Sequence, residues 1–353
     1  MRRLALVPLV LVLGCPPPGP TQLPEDDETA TPQPKDAVEK AALEIHQGNY
    51  DKALAIIDEE LAKTPDNHEL WFSKGVALRE KKQIDEAVAA WTKALELKPQ
   101  YAEALHALGA VHLDKQEYEQ AIEKLNAAAQ AKPEFAPAHY NLGVALLQLG
   151  REDDAAKAFQ TAHELDPKDV DTMLALADSH ARAGRLDEAL ALTDRAVQLQ
   201  PEKPDAYAAQ GRVRLRKGDG KGALVSFVAA LVKQPDHAGL QLGRAQALLE
   251  MDENEKAAAE LEKLSARAGE SPTVWLEWGT ALAKMRRFED ALVKMDKAVE
   301  LGPKYALAHA RRIGVLVDLH RCKQAKKALG ALVAVKPPEA LLSATQRVVE
   351  TCK

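Results

Sequence analysis

Aromatic residues and cysteines are scarce in this chain, and neither sign of charge is in large excess. Of the 353 residues only 4% are aromatic and only three are cysteine. The formal net charge is −6, which argues against a protein that binds nucleic acid. The odd number of cysteines leaves one unpaired or chemically modified. No apolar run reaches the roughly 20 residues that a transmembrane helix needs.

Sequence motifs for catalysis are also missing. The chain has neither the G-x-S-x-G elbow of many hydrolases nor the H-E-x-x-H motif of zinc proteases. The glycine-rich stretch from Gly218 to Gly222 lacks the spacing of a phosphate-binding loop, and we interpret it as a turn between helices. We therefore predict that the protein is not an enzyme, and we predict no catalytic residue, metal site or cofactor.

The main positive feature is a sequence repeat with a constant period of about 34 residues. Alanine recurs at this spacing at Ala53, Ala87, Ala121, Ala155, Ala189, Ala223, Ala257, Ala291 and Ala325. Proline recurs at Pro65, Pro99, Pro133, Pro167, Pro201, Pro235, Pro303 and Pro337, with Gly269 in the remaining place. A third column consists of small residues, with Ile313 as its exception. Its members are Ala41, Gly75, Gly109, Gly143, Ala177, Gly211, Ala245 and Gly279. Small residues let two helices approach closely, and proline ends a helix because it lacks an amide donor.

Two stretches show the order of these columns in full. Trp71 to Pro99 reads W-x-x-x-G…A-x-x-x-W-x-x-A…P, and Tyr140 to Pro167 has a closely similar order. This order resembles the tetratricopeptide repeat. The resemblance implies an all-α fold, a right-handed α-solenoid of about nine helix pairs followed by a C-terminal capping helix.

The domain boundaries follow from the same columns. Residues 1–14 are expected to be a lipoprotein signal peptide and residues 15–33 a lipidated cysteine with a proline-rich, acidic linker. Nine repeats are expected in 34–337, with the boundaries 34–67, 68–101, 102–135, 136–169, 170–203, 204–237, 238–271, 272–305 and 306–337. The capping helix is expected in 338–353.

The start of the chain has the layout of a secretory signal. Arg2 and Arg3 precede an uncharged run of ten residues, and this run ends at the sequence Val12-Leu13-Gly14-Cys15. The four residues resemble a bacterial lipobox, although Leu13 stands where a small residue is usual. The resemblance implies that Cys15 carries lipid and anchors the protein in the bacterial cell envelope, on the outer membrane or the periplasmic face of the inner membrane. A plain signal peptide, or a buried apolar start with an incidental thiol, is the alternative.

The other two cysteines are expected at one end of the array. Cys322 begins the second helix of the ninth repeat, and Cys352 ends the capping helix. Outside the cytoplasm such a pair can persist as a disulfide. Two buried free thiols are the alternative.

The first helices are expected to line a concave surface that binds a protein or peptide partner. Their candidate contact residues are Phe72, Arg79, His106, Tyr140, Asn141, Arg182, Arg212 and Arg216. Packing between neighbouring repeats is the alternative role of the aromatic residues. The family's clamp for chaperone C-termini is disfavoured, because only Asn141 fits it.

We therefore predict a lipid-anchored scaffold or assembly factor of the bacterial cell envelope. Two alternatives stay open at this point. One is an intracellular scaffold or co-chaperone-like adaptor without a lipid anchor. The other is a non-catalytic regulatory subunit of an enzyme complex.

Overall fold

The computed structural model describes residues 36–352, which form helices, turns and loops without any strand. The signal peptide, Cys15 and the linker expected in residues 1–33 lie outside the described residues. The fold divides into two compact units between Pro167 and Lys168. The all-α fold expected from the sequence is confirmed.

The first unit contains four antiparallel helix pairs. They are α1 (Ala37–His46), α2 (Tyr50–Leu61), α3 (His68–Glu80), α4 (Ile84–Leu97), α5 (Ala102–Asp114), α6 (Tyr118–Ala131), α7 (Ala136–Gln148) and α8 (Glu152–Leu165). Each helix packs against the next one in the chain, so consecutive pairs stack side by side.

The second unit contains five further pairs and a terminal helix. They are α9 (Val170–Arg182), α10 (Leu186–Leu199), α11 (Pro204–Arg216), α12 (Gly220–Lys233), α13 (Ala238–Glu250), α14 (Asn254–Ser265), α15 (Pro272–Lys284), α16 (Phe288–Leu301), α17 (Ala306–Asp318), α18 (Cys322–Ala334) and α19 (Glu339–Glu350). From α3 onward every first helix begins one full period after the previous one, as the sequence repeat predicts.

The small residues in the first helices make room for a large side chain of the paired second helix. Trp91 is fully buried over Gly75, where an added Cβ would lie 2.3 Å from Trp91 Nε1. Phe159 covers Gly143 in the same way, at 2.7 Å from the position of an added Cβ. In these two pairs the helix spacing is therefore set by one large side chain over one glycine.

The turn inside each pair has one residue in the left-handed region. Gly48, Gly150, Gly184 and Gly218 take this conformation, as their positions in the repeat predict. Lys82, Gln116, Asp252, Arg286 and His320 take it as well, although they have side chains. The turn geometry is thus kept even where the sequence does not supply glycine.

The last helix covers the end of the second unit. Val349 of α19 is buried in a cluster with Leu316 and Leu332, and Leu342 packs against the same cluster. A disulfide joins Cys322 at the start of α18 to Cys352 just after α19, with a Cα–Cα separation of 5.5 Å. Apolar packing and a covalent bond together hold α19 on the final pair.

Candidate protein-interaction surface

Three aromatic residues occupy equivalent positions on the first helices α3, α5 and α7. Phe72, His106 and Tyr140 are each partly buried, and each touches a further ring. The ring of Tyr140 lies 5.6 Å from that of the core residue Phe159, measured between ring centroids. The aromatic column expected from the sequence therefore serves packing and still keeps some surface open to solvent.

Two of these contacts involve aromatic residues that the sequence analysis missed. Tyr101 lies edge-on to Phe72 at 5.3 Å, and Phe135 lies edge-on to His106 at 5.2 Å. Tyr101 and Phe135 immediately precede α5 and α7 and are one repeat period apart. Their shared spacing was the signal that could have identified them.

A lysine lies over each of these two rings. Lys98 Nζ is 4.8 Å from the centroid of Tyr101, and Lys132 Nζ is 5.2 Å from that of Phe135. Both distances are within the range of a cation–π interaction. The first unit therefore contains the same arrangement twice. In each case a lysine contacts the ring that precedes a first helix, and this ring contacts a ring on the previous first helix.

His106 is also held by a hydrogen bond from the next first helix. Asn141 is buried, with 5% of its surface exposed, and its Nδ2 donates to His106 Nε2 over 2.8 Å. Burial lowers the pKa of His106 to about 4, the charge of Arg79 adds to this shift, and Glu103 opposes it. The imidazole is therefore neutral near pH 7, and Asn141 positions it instead of presenting its own amide to a partner.

Arg79 lies on the same face of α3 and has a carboxylate partner of its own. Its Nη2 is 2.9 Å from Glu80 Oε1 in an ion pair between adjacent residues. Such a pair near the surface contributes little to stability. The guanidinium of Arg79 is therefore held only weakly by Glu80.

The predicted basic residues of the second unit lie on α9 and α11. Arg182 Nε donates to Asp178 Oδ2 over 2.7 Å, so Arg182 is partly neutralised. Arg212 and Arg216 are exposed one helical turn apart on α11. Within residues 36–352 neither of these two arginines has a carboxylate at ion-pair distance.

The environment of Arg212 differs from that of an arginine on an open surface. Desolvation by neighbouring groups lowers its pKa, Asp178 and Asp205 oppose the shift, and Arg216 adds to it. An arginine side chain nevertheless keeps its proton in proteins. Two unpaired positive charges therefore lie side by side on the second unit, where they can bind carboxylates with two hydrogen bonds each.

A further polar cluster of the second unit lies on α13 and α15, and the sequence analysis did not identify it. Gln246 Nε2 donates to Glu277 Oε1 over 2.9 Å. Burial raises the pKa of Glu277, while the hydrogen bond from Gln246 and the charge of Arg311 oppose the shift. Gln246 lies one repeat period after Arg212. This equivalent position was the signal in the sequence that could have identified the cluster.

The part of the chain that the structure describes has neither a metal-binding cluster nor a membrane-spanning helix. No group of three or more histidine, cysteine or acidic residues that could hold a metal ion occurs within residues 36–352. None of the helices in that range is long and apolar enough to cross a bilayer.

Comparisons with known proteins agree with the helical repeats. Family models described as tetratricopeptide repeat or TPR repeat match residues 75–116, 106–170, 146–213 and 214–277. A comparison with curated proteins found no match.

Several solved structures are similar to parts of this chain. PilF of Pseudomonas aeruginosa is 19% identical with a TM-score of 0.55, and the match covers 60% of this chain and 96% of PilF. PilW, described as a widely conserved type IV pilus biogenesis factor, is 19% identical with a TM-score of 0.51, and the match covers 58% of this chain and 95% of PilW. YrrB, described as a TPR protein with an unusual peptide-binding site, is 26% identical with a TM-score of 0.46, over 52% of this chain and 95% of YrrB. At these identities PilF and PilW establish the fold only.

Proposed function

This chain is a tetratricopeptide-repeat protein and thus a protein-interaction scaffold, and we propose that it is a lipid-anchored assembly factor of the bacterial cell envelope. In this proposal its first helices bind a segment of a partner protein. Cys15 attaches the chain to a membrane, and residues 16–33 link the anchor to the repeats.

One observation carries the binding part of this proposal. Arg212 and Arg216 present two charged side chains without an ion-pair partner among residues 36–352, although most charged residues nearby are paired. Unpaired arginines on a helical surface are typical anchors of protein interfaces. In the first unit, Phe72 and Tyr101 keep partly exposed aromatic surface, which is a separate candidate contact for apolar side chains of a partner.

The cysteines support the location. A disulfide between Cys322 and Cys352 is compatible with the periplasm and disfavoured in a reducing cytoplasm. Cys15 is then the single remaining cysteine, and it stands where the lipobox resemblance requires the lipidated residue. An intracellular adaptor without an anchor would explain neither the position of Cys15 nor the disulfide.

The anchor is tested with the Cys15→Ser variant expressed in a Gram-negative host. We expect the unaltered protein to incorporate labelled fatty acid and to sediment with membranes, and the variant to do neither. A Cys322→Ser, Cys352→Ser double variant is the control, because it should keep the lipid. Equal membrane association of the Cys15→Ser variant, together with no label on either protein, would contradict the anchor and favour the intracellular adaptor.

The binding surface is tested by affinity capture from cells. Arg212→Ala with Arg216→Ala should reduce recovery of the partner at least tenfold, since removing a charged hydrogen-bonding group from an interface costs about 1–3 kcal/mol. Lys256→Ala on α14 is the matched control, because Lys256 lies exposed on a second helix. Unchanged recovery with the double variant would exclude this surface.

A further inference from the structure

The last helices of the second unit carry an excess of positive charge. Residues 319–352 contain six basic and two acidic residues, whereas the whole chain has 47 basic and 53 acidic ones. Helix α18 contains no acidic residue. Its three lysines, Lys323, Lys326 and Lys327, are exposed, and their spacing of three and four residues places them on one side of the helix. One side of α18 is therefore basic in a protein that is acidic as a whole.

Lys323 stands in the first turn of α18, at a position where most second helices carry an acidic residue. The equivalent residues in the other eight repeats are Asp51, Asp85, Glu119, Asp153, Asp187, Lys221, Glu255 and Glu289. An acidic residue in the first turn stabilises a helix, because the amino end of the helix dipole is positive. Lys323 lacks this stabilisation, so the stability of the helix does not explain its charge.

Lys326 stands at a position where every other second helix carries an apolar residue. The equivalent residues are Leu54, Val88, Ile122, Ala156, Leu190, Leu224, Ala258 and Leu292. Leu292, for example, packs in a core cluster with Ile313 and Leu316 of the next pair. Because α18 is the last second helix within residues 36–352, exposure at the end of the stack explains a polar residue at this position. It does not explain why this residue is positively charged.

The positive charge continues from α18 onto α19. The two helices border a groove, which is lined by Lys326, Leu329, Gln346, Val349, Glu350 and Cys352. Arg347 is exposed and follows Gln346 directly. Within residues 36–352 neither the three lysines of α18 nor Arg347 has a carboxylate at ion-pair distance, although Glu350 lies at the groove. We call Lys323, Lys326, Lys327 and Arg347 the terminal basic face.

We propose that the terminal basic face binds the anionic phospholipids of a membrane surface. Lysine is a flexible and strongly hydrated point charge, which suits attraction to many mobile lipid headgroups. In the cores of protein interfaces lysine is depleted, whereas arginine and aromatic residues are enriched. A face with three lysines and one arginine therefore fits an anionic membrane better than it fits an acidic protein segment.

Apolar side chains adjoin these charges. Val333 lies seven residues after Lys326 on α18 and is 48% exposed, and Val348 next to Arg347 is 41% exposed. Surfaces that bind peripherally to membranes combine basic residues with apolar side chains in this way. Each basic residue near an anionic surface strengthens binding about fivefold, so four of them give a reversible contact that salt weakens. Together with lipid on Cys15, the contact would fix how the second unit faces the membrane; this last point alone rests on the proposed anchor.

Vesicle sedimentation of the full-length Cys15→Ser protein tests the face without the lipid. One set of vesicles contains phosphatidylcholine with about one-third phosphatidylglycerol, and the other contains phosphatidylcholine alone. We expect stronger binding to the anionic vesicles, and this difference should shrink at higher salt concentration. In the same protein, Lys323→Glu, Lys326→Glu and Lys327→Glu together should weaken binding to the anionic vesicles at least tenfold. Glutamine at the three positions should weaken it by a smaller factor.

A matched control reverses three lysines that lie on separate second helices. Lys157→Glu on α8, Lys221→Glu on α12 and Lys256→Glu on α14 change exposed residues and give the same net charge. Binding to the anionic vesicles should stay nearly unchanged in this control. Arg212→Ala with Arg216→Ala should also leave it unchanged, because these arginines belong to the proposed partner surface. Thermal unfolding verifies that all variants are folded.

Three results would overturn the proposal. One is equal binding of the two triple variants to anionic vesicles. Another is sedimentation of the Cys15→Ser protein with anionic vesicles that does not exceed its sedimentation with neutral ones. The third is binding of soluble polyglutamate through the three lysines of α18 without binding to anionic vesicles, which would assign the face to an acidic protein segment. The lipid-labelling experiment tests Cys15 separately, so failure of the anchor and failure of this face are distinguishable.

Discussion

Asn141 on α7 donates its side-chain amide to Nε2 of His106 on α5 over 2.8 Å, so a hydrogen bond joins two successive first helices. The bond requires an imidazole whose Nε2 carries no proton. Burial lowers the pKa of His106 to about 4, which keeps the ring neutral under physiological conditions. A residue of the candidate binding surface is therefore also a connection between repeats.

The stability of the protein should depend on the protonation of His106. In the unfolded chain the histidine pKa is about 6.5, above its folded value, so the unfolded state binds more protons below that pH. The stabilisation is complete above about pH 6.5 and is lost as the pH falls towards about 4. Because the ring is partly exposed, we expect a loss of up to about 2 kcal/mol.

Urea denaturation at several pH values checks this expectation. His106→Gln keeps a hydrogen-bond acceptor for Asn141 but does not titrate, so its unfolding free energy should fall less between about pH 7 and about pH 4.5. The same pH dependence in both proteins would show that His106 is not the titrating group.

Gly75→Ala should destabilise the first unit. An added Cβ would lie 2.3 Å from Trp91 Nε1, so the indole or the helix must move, at a cost of about 1–3 kcal/mol. Gly314→Ala on α17 is the matched control, because no atom lies within 4 Å of the added Cβ there. That change should stabilise the protein by up to about 1 kcal/mol through helix propensity. Thermal or urea unfolding measures both variants, and equal effects would argue against the close contact.

Gln116→Gly should stabilise the turn between α5 and α6. Gln116 has a φ of 60°, and a left-handed conformation costs a residue with a side chain about 1–2 kcal/mol. Part of that gain is offset by the greater freedom of glycine in the unfolded chain, so we expect a net gain of about 0.5–1 kcal/mol. Gly150→Ala in the equivalent turn should destabilise by a similar amount. Destabilisation by Gln116→Gly in equilibrium unfolding would contradict this account.

Reduction of the disulfide should destabilise the end of the second unit. Cys322 and Cys352 are 30 residues apart. In the loop-entropy model, a crosslink over a loop of that length lowers the entropy of the unfolded chain and stabilises the folded state by about 3–4 kcal/mol. Addition of a reductant should therefore lower the melting temperature of the unaltered protein but not that of the Cys322→Ser, Cys352→Ser double variant. Mass spectrometry without reductant should find neither thiol free. Two free thiols in protein isolated from the periplasm would refute the bridge.

The sequence repeat was sufficient to predict the helix pairs, because helix contacts inside a pair depend on residues close in sequence. Trp91 over Gly75 follows from two columns of that repeat. Gln116 stands in the turn column of Gly48 and Gly150, so the repeat places the left-handed turn there, although nothing in the residue itself favours that conformation. Its backbone is set by the helices on both sides.

The candidate surface was less predictable than the fold. Arg212 and Arg216 could be placed by helical spacing, and both are exposed as expected. The burial of Asn141 depends on how α7 packs against α5, which the spacing within one helix does not determine. Glu277 stands four repeats after Asn141 in the same column. This column contains small, amide, acidic and basic residues, so its members do not predict one another's role.

Site-specific photocrosslinking in living cells tests the central claim most directly, since that claim is that the first helices bind a partner protein. A photoreactive amino acid is placed at Phe72 or Arg212, and at the exposed second-helix residues Lys157 and Lys256 as controls. We predict that the two first-helix positions capture a defined partner and that the two controls do not. Capture of the partner only from Lys157 or Lys256 would contradict the account.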